Sequence, residues 1–342
     1  MADRSKGNFW EKFSKVGIII VVLYLLCLVL GFSIRLIFFS DEDETSIVPD
    51  DNAASAEGTS ESAETEETET TAASNENILA ITPETTFAAV LEGGTTEVNI
   101  SMSTTGEATA ADLTWSSSDT SVATVDASTG QITGISAGEC VVTVSVIGNS
   151  SVYADVDVVV RELEEIDGCT YIDGILVVNK TYSVPETYDP GLYDYVEEAF
   201  EEMSAAAAAE GLDLYIGSSY RDYAFQEEIY NNYSDLYGWE LADTFSARPG
   251  YSEHQSGLVI DCNTIDDAFG ETEESEWLAE HCAEYGFIIR YPEGKEDITG
   301  YKYEPWHIRY VGVEVATEME SLGVCLEEYL GIESEYTTDW EG

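Results

Sequence analysis

The sequence predicts an α+β domain built on a small antiparallel sheet, preceded by an all-β sandwich and a single transmembrane helix. Three observations support this prediction: an apolar run near the N-terminus, a middle segment of short alternating strands, and a distal half that mixes helical and strand periods. With 342 residues, 44% of them apolar, the chain is long enough for two folded domains and unstructured connectors.

The N-terminal apolar run predicts the membrane helix. Residues 16–34 are apolar and uncharged, and the apolar character resumes after Arg35 up to Phe39, which is enough to cross about 30 Å of hydrocarbon. Four basic residues precede the run and four acidic residues follow it closely, so the positive-inside rule places residues 1–15 in the cytoplasm and the rest outside. A cleavable signal peptide is the alternative, but the run is long for one and no clean A-x-A site follows directly after it.

A polar segment at 40–77 separates this helix from the folded part. It consists mainly of Ser, Thr, Ala, Glu and Asp, and so cannot bury enough apolar surface to offset chain entropy. We expect a disordered linker that reaches roughly 30 to 35 Å and keeps the distal domains near the membrane. A short acidic tail is expected at 334–342.

The charge balance limits the partners. The chain has 68 acidic and 13 basic residues, a formal net charge of −55, which is repelled by nucleic acid phosphates and by anionic lipid. We therefore expect no nucleic acid partner, and membrane attachment only through the N-terminal helix. The sequence contains no indication of an oligomeric state.

The six cysteines do not form a recognisable framework. Cys27 lies in the apolar run, and the other five are odd in number and lack CxxC spacing. A bridge between Cys262 and Cys282 is left open as an alternative.

The segment 78–162 predicts an antiparallel sandwich. Short alternating runs broken by Gly, Ser and Asp favour strands. They lie at 96–100, 113–115, 122–125, 130–133, 140–146 and 153–160. The stretch TWSSSDTSVATVDASTGQITGISAGECVVTV, with Trp115 and turns at Gly130 and Gly138, resembles the bacterial Ig-like group 2 domain. That resemblance implies a spacer or a wall-binding module, and we favour the spacer.

The segment 163–333 mixes both periods without regular βαβ alternation, which favours an α+β domain. Helices are predicted at 193–211, 222–237, 276–285 and 313–322, and strands at 213–218, 257–261, 287–290 and 306–310.

Two motifs in this segment predict a metal site. SARPGYSEHQSGLVID at 246–261 and EPWH at 304–307 contain two of the three histidines of the chain. Hydrolytic zinc sites use three His, Asp or Glu ligands and leave one position to water, and His254, Asp261 and His307 supply such a set. Glu304 is placed to accept a proton from that water. Cys262 should point away, because adjacent strand residues face opposite sides.

The third histidine, His281, lies in an acidic helix without a comparable motif, so we expect a structural role for it.

Residues 173–332 resemble the VanY-type D-alanyl-D-alanine carboxypeptidases, within the wider group of zinc D,D-peptidases and the hedgehog signalling domain. The resemblance is carried by four motifs in order, VVNKTYSVP (177–185), SSYRDYAFQ (218–226), SARPGYSEHQSGLVID (246–261) and EPWHIRYVG (304–312). It implies one zinc ion per chain, held by His254, Asp261 and His307, with Glu304 as the catalytic base. The family usually has an aliphatic residue at the position of Cys262.

By the same resemblance, Arg221, Gln226 and Ser252 match substrate-binding positions. Arg221 would also hold the oxyanion of the tetrahedral intermediate, or alternatively clamp a carboxylate. Two further arginines in the motifs, Arg248 and Arg309, are expected to form structural ion pairs.

The sequence and the resemblance together predict a membrane-anchored, extracellular zinc carboxypeptidase on the wall side of a bacterial membrane. Its expected substrates are peptidoglycan stem peptides, from which it would release the terminal D-alanine. D,D cleavage of pentapeptides is favoured, and L,D cleavage of tetrapeptides is the alternative. Endopeptidase action is a third possibility. An inactive wall-binding scaffold is a fourth, and the intact ligand set and Glu304 argue against it.

Overall fold

The computed structural model describes residues 77–340, all of which fall in one compact unit. The predicted transmembrane segment 16–39 and nearly all of the linker 40–77 lie outside these residues. Within 77–340 no helix combines the length and the apolar character needed to cross a bilayer.

The first part of the described chain is an all-β region of nine strands. These are β1 (Ile78–Pro83), β2 (Phe87–Leu91), β3 (Thr95–Thr96), β4 (Ile100–Thr104), β5 (Leu113–Ser117), β6 (Ala123–Val125), β7 (Ile132–Gly134), β8 (Gly138–Val146) and β9 (Asn149–Arg161). The strands form sheets ordered β2-β9-β8-β5, β3-β7-β6 and β1-β4. The pairs are antiparallel except β2 with β9. Alternate residues of β8 face a core that includes Trp115, as the two-residue period of a strand requires.

The strand predicted at 96–100 is wrong. The chain there passes from one sheet to another, because β3 pairs with β7 whereas β4 pairs with β1. Strands β1 and β2 were not predicted, since β1 alternates only weakly and FAAVL of β2 lacks a polar face.

The second part of the described chain, the α+β domain, begins with a three-stranded antiparallel sheet of β10 (Leu163–Ile166), β11 (Cys169–Ile172) and β12 (Ile175–Val177). A four-stranded antiparallel sheet follows, with the order β13-β14-β16-β15. Its strands are β13 (Ile216–Ser218), β14 (Val259–Cys262), β15 (Phe287–Ile289) and β16 (His307–Tyr310). The predicted α+β class with a small antiparallel sheet is confirmed.

Seven helices accompany these sheets within the described residues. They are α1 (Asp194–Ala209), α2 (Tyr223–Tyr237), α3 (Trp239–Ala242), α4 (Glu273–His281), α5 (Glu296–Thr299), α6 (Val313–Leu322) and α7 (Leu326–Leu330). Helix α1 buries one stripe of side chains in the core of the α+β domain: Val196, Phe200, Met203 and Ala207. Helix α4 starts three residues before its predicted start, because the Thr272 side chain caps it by accepting from the Ser275 amide.

The five cysteines of residues 77–340 are buried, unpaired thiols, so the bridge between Cys262 and Cys282 does not form. Both residues pack in the core of the α+β domain. The described part of the predicted acidic tail also packs on the domain: Tyr336 lies 4.0 Å from the Arg248 guanidinium, measured to the ring centroid.

Candidate metal centre

Two adjacent strands and one tight turn bring the predicted ligands together. Asp261 on β14 and His307 on β16 are direct partners in the antiparallel register. His254 lies in a 3₁₀ turn, Glu253–Ser256, which ends at Gly257 with φ of 73°. A side chain at Gly257 would come within 2.1 Å of the Gly191 carbonyl oxygen, so only glycine fits there. One ligand atom from each of the three residues lies within 4.8 Å of the others.

Hydrogen bonds at the back of each imidazole determine which nitrogen faces the centre. His254 Nδ1 contacts the Ser219 carbonyl oxygen, which can only accept, so Nδ1 carries the proton and Nε2 presents its lone pair. His307 Nε2 lies 3.4 Å from Glu253 Oε2, also an acceptor, so His307 presents Nδ1. Both rings are therefore held in the tautomer that a metal ligand needs.

The donor set fits a divalent cation. Asp261 Oδ1 is buried without a hydrogen-bond partner, although it lies 3.0 Å from His307 Nδ1. An unpartnered buried carboxylate oxygen beside two imidazole lone pairs is costly unless a positive charge joins them. Two nitrogens and one carboxylate oxygen form a ligand set suited to zinc.

Arg221 projects into the same centre from the turn before α2. Its Nη2 donates to Asp261 Oδ2 at 2.8 Å and lies 2.9 Å from His254 Nε2. Gln226 is buried on α2, with its amide nitrogen donating to the Ala247 carbonyl at 2.7 Å. Ser252 is buried at the start of the 3₁₀ turn and lines the cavity that contains the centre. The three predicted substrate-binding residues therefore border one cavity.

Glu304 lies beside the centre, with Oε2 3.9 Å from His307 Nδ1. Burial raises the pKa of the Glu304 carboxyl to about 7. The negative charge of Asp261 raises this pKa further, and the nearby His307 lowers it in part. A carboxyl group with this pKa can take and return a proton near neutral pH.

Comparison with known proteins finds two matching families along the chain. Residues 190–313 match the family VanY, D-alanyl-D-alanine carboxypeptidase, and residues 79–156 match the bacterial Ig-like domain (group 2). The Bacillus subtilis protein YodJ is 38% identical over 198 residues, which are 49% of this chain and 72% of YodJ. This chain belongs to the VanY family. The family predicted from the four motifs is thereby confirmed.

Other VanY relatives match the same half of the chain. The D-alanyl-D-alanine carboxypeptidase of Enterococcus faecalis is 36% identical, over 46% of this chain and 66% of the relative. The solved structure of the L,D-carboxypeptidase DacB from Streptococcus pneumoniae is 38% identical, covers 52% of this chain and 100% of its own, and has a TM-score of 0.48. VanYB in complex with D-alanine-D-alanine is 36% identical, covers 45% of this chain and 96% of its own, and has a TM-score of 0.41.

Glu253 is a site residue that the sequence analysis missed. Its buried carboxylate accepts from Arg290 Nε at 2.7 Å and from Arg309 Nη1 at 2.9 Å, besides contacting His307. Burial alone would raise the pKa of Glu253, but the two guanidinium groups hold it well below its ordinary range. Arg290 in turn binds Glu327 through both Nη atoms. The only sequence signal was the position of Glu253, directly before His254.

The remaining predicted residues lie outside the centre. Arg248 pairs with Asp243 at 2.7 Å, and Arg309 pairs with Glu253, as predicted for structural ion pairs. His281 pairs with Glu284 near the surface. Cys262 packs in the hydrophobic core, on the side of β14 away from Asp261, as strand alternation predicts.

The VanY site opens into a cavity of about 360 Å³. One side holds the metal-site residues, and another is formed by apolar side chains of α2 and its surroundings, including Phe225, Ile229, Tyr233 and Phe245. Arg221 is the only arginine or lysine among the described residues that line it. The sequence analysis did not predict this apolar side of the cavity.

Proposed function

We propose that this chain is a zinc carboxypeptidase that removes the terminal D-alanine from peptidoglycan stem peptides, acting on D-alanyl-D-alanine ends. The observation that carries the proposal is the pair of fixed tautomers around the unpartnered Asp261 oxygen, with Glu304 beside them. The substrate class is supported by membership of the VanY family.

Zinc held by His254, Asp261 and His307 would lower the pKa of water and polarise the scissile carbonyl. Glu304, buried beside these ligands, takes the proton from the attacking water and returns it to the leaving amine of D-alanine. Arg221 places a guanidinium at the centre, where negative charge develops on the carbonyl oxygen.

Gln226 and Ser252 then have different tasks in the proposed reaction. Gln226 fixes the loop that begins at Ala247 through its amide hydrogen bond. Ser252 offers a buried hydroxyl to the substrate from the rim of the same cavity.

We further propose that the peptidase acts outside the cell, tethered by the apolar run at 16–39. The flanking charges support an inward N-terminus, and peptidoglycan lies on the outer side of the membrane.

The test uses the full chain in detergent with defined tetrapeptide, pentapeptide and cross-linked stem peptides, and identifies products by mass spectrometry. We expect release of D-alanine from the pentapeptide, loss of activity on chelation, and recovery on adding one equivalent of zinc. Preferred cleavage of the tetrapeptide would change the specificity to L,D, and cleavage of cross-links would indicate an endopeptidase.

The matched variants are Glu304→Gln and Glu284→Gln. Glu304→Gln should lower kcat by at least about a hundredfold, the usual contribution of a general base. Glu284 is an exposed carboxylate that pairs only with His281 at the surface, so its variant should retain activity. Full activity in Glu304→Gln, or activity that survives chelation, would refute the zinc mechanism.

A further inference from the structure

The catalytic cavity continues into an exposed aromatic surface that the proposed reaction does not use. We call Phe225, Tyr233, Tyr237 and Phe245 the aromatic wall. Phe225, Tyr233 and Phe245 line the cavity, and Tyr237 extends the surface beyond it. Tyr233 and Phe245 pack edge to face at 5.2 Å, and Tyr237 packs on Phe245 at 6.0 Å.

The aromatic wall is exposed to solvent, although the surface of so acidic a protein is expected to be charged. Phe225, Tyr233 and Tyr237 are 53%, 38% and 57% exposed, in a chain of net charge −55. Because an α-helix turns by about 100° per residue, the opposite face of α2 carries its acidic side chains, Glu227, Glu228 and Asp235. Exposed apolar surface that adjoins a cavity marks a binding site more often than a chance arrangement.

Position along α2 relates this surface to the metal centre. Arg221, just before the helix, contacts Asp261, and Phe225 and Tyr233 further along the helix line the same cavity. From Phe225 to Tyr237 the helix rises about 18 Å, at 1.5 Å per residue. Tyr233 and Tyr237 therefore lie about 12 and 18 Å beyond Phe225 along the helix.

We propose that the aromatic wall binds the amino-sugar rings to which the stem peptide is attached; this inference rests on the proposed function. In a pentapeptide, four residues separate the scissile bond from the sugar, a span of about 14 Å when extended. That span places the sugar near Tyr233 and Tyr237 while the terminal D-alanine lies at the metal centre.

The chemistry of the substrate identifies the sugar as the occupant. A stem peptide contributes alanine methyl groups and charged side chains, which cover little aromatic surface. A pyranose ring has an apolar C–H face that stacks on an aromatic ring and hydroxyl groups that reach the tyrosine hydroxyls at its edge. The lack of basic side chains along this part of the cavity also favours a neutral ring over an anionic group.

The test compares the full chain on two substrates, a free pentapeptide and the same pentapeptide attached to its disaccharide. The measured quantity is the ratio of kcat/KM for the attached and the free peptide. We expect a ratio above about ten in the wild type and a decrease of about 3- to 10-fold for each tyrosine removed. Tyr233→Ala and Tyr237→Ala are tested singly and together, with thermal unfolding as the check on folding.

Tyr195→Ala is the matched control. Tyr195 is an exposed tyrosine, 47% accessible, that lines a different cavity formed around Tyr171 and Tyr310. Its removal should leave the ratio unchanged. The inference is overturned by a wild-type ratio near one, by an equal decrease in the Tyr195 variant, or by an equal preference for a cross-linked peptide without sugar.

A binding experiment separates this inference from the proposed reaction. Saturation-transfer NMR with the peptide-free disaccharide should detect binding to the full chain and its loss in the Tyr233→Ala, Tyr237→Ala double variant. If no peptide is cleaved but this binding is present, the proposed reaction fails and the sugar site stands. If peptides are cleaved but the disaccharide neither binds nor changes the rate, the sugar site fails and the reaction stands.

Discussion

Replacing Glu253 by glutamine should weaken zinc binding at the proposed metal centre without changing any of the three ligands. The carboxylate accepts from Arg290 and Arg309 on Oε1 and faces His307 Nε2 with Oε2. Glutamine has one oxygen, which the two guanidinium groups will take, so its NH₂ group must face the imidazole. Because a donor cannot face the Nε2 proton, His307 would change to the tautomer protonated on Nδ1, the atom that faces the metal position.

Two effects of this substitution can be estimated. Loss of a partner that orients a metal-bound histidine typically costs 10- to 100-fold in metal affinity, and we expect a loss of about this size. Removing one carboxylate from a buried network with two guanidinium groups should also cost about 3 to 5 kcal/mol of folding free energy. The first effect is measured by competition with a chromophoric chelator, and the second by urea unfolding of the zinc-free protein.

The control is Glu327→Gln, which weakens the same network at its far end. Glu327 binds Arg290 at 2.6 and 2.8 Å and contacts Asn179, but it does not contact His307. We expect a similar loss of stability with zinc affinity within about threefold of the wild type. Equal zinc affinity in the Glu253 and Glu327 variants would refute the argument, because the effect on zinc would then be a general effect of destabilisation. A direct check is the ¹⁵N shift of the His307 ring, which distinguishes the two tautomers.

Three further predictions concern pH, metal and the domain contact. Burial raises the pKa of Glu304 to about 7, and a bound cation nearby should lower that pKa. Because Glu304 acts as a base, kcat/KM should fall tenfold for each unit by which the pH drops below this pKa, which gives an acid limb below pH 7. If the same limb persists in Glu304→Gln, another group is responsible for it. Zinc at a hundred times its Kd should stabilise the fold by about 2.7 kcal/mol, seen as a higher unfolding temperature than with chelator, and no shift would argue against a metal site. Gly331→Ala should lower the free energy of unfolding, measured in urea, by about 1 to 3 kcal/mol more than Gly323→Ala does. Both glycines have a positive φ, but only at Gly331 would an added Cβ collide, at 2.5 Å from the Ala89 backbone. Equal losses of stability in the two variants would mean that the Ala89 backbone moves to make room for the added Cβ.

The elements predicted best are those whose signal is local. The helix predicted at 313–322 has those ends in the structure, since its apolar period is regular and a glycine follows it. The strand predicted at 96–100 failed because pairing, not propensity, decides where the chain leaves one sheet for another. The register that sets Asp261 opposite His307 is likewise a long-range property, which was not predicted because no single motif contains both strands.

The same distinction applies to the centre. Four residues of the centre were predictable because each lies in a dense motif and is of a type that binds metal or transfers protons: His254, Asp261, His307 and Glu304. Glu253 was not, because its role depends on two arginines distant in the chain. Charged residues usually lie in solvent, and only the fold shows that this one is buried.

The sequence favoured a spacer role for the Ig-like domain, and the structure gives that domain a further contact. Phe87 of β2 stacks on Tyr329 of α7 at 6.2 Å, and Arg161 of β9 donates to the Tyr329 carbonyl oxygen at 2.6 Å with its guanidinium over the ring. Helix α7 also carries Glu327, the partner of Arg290 in the network behind His307. A domain that only set distance would need no such contact. Because α7 is a helix of five residues, too short to be stable alone, its packing on β2 helps to hold Glu327 in place, and so the Ig-like domain stabilises the buried ion pair between Glu327 and Arg290.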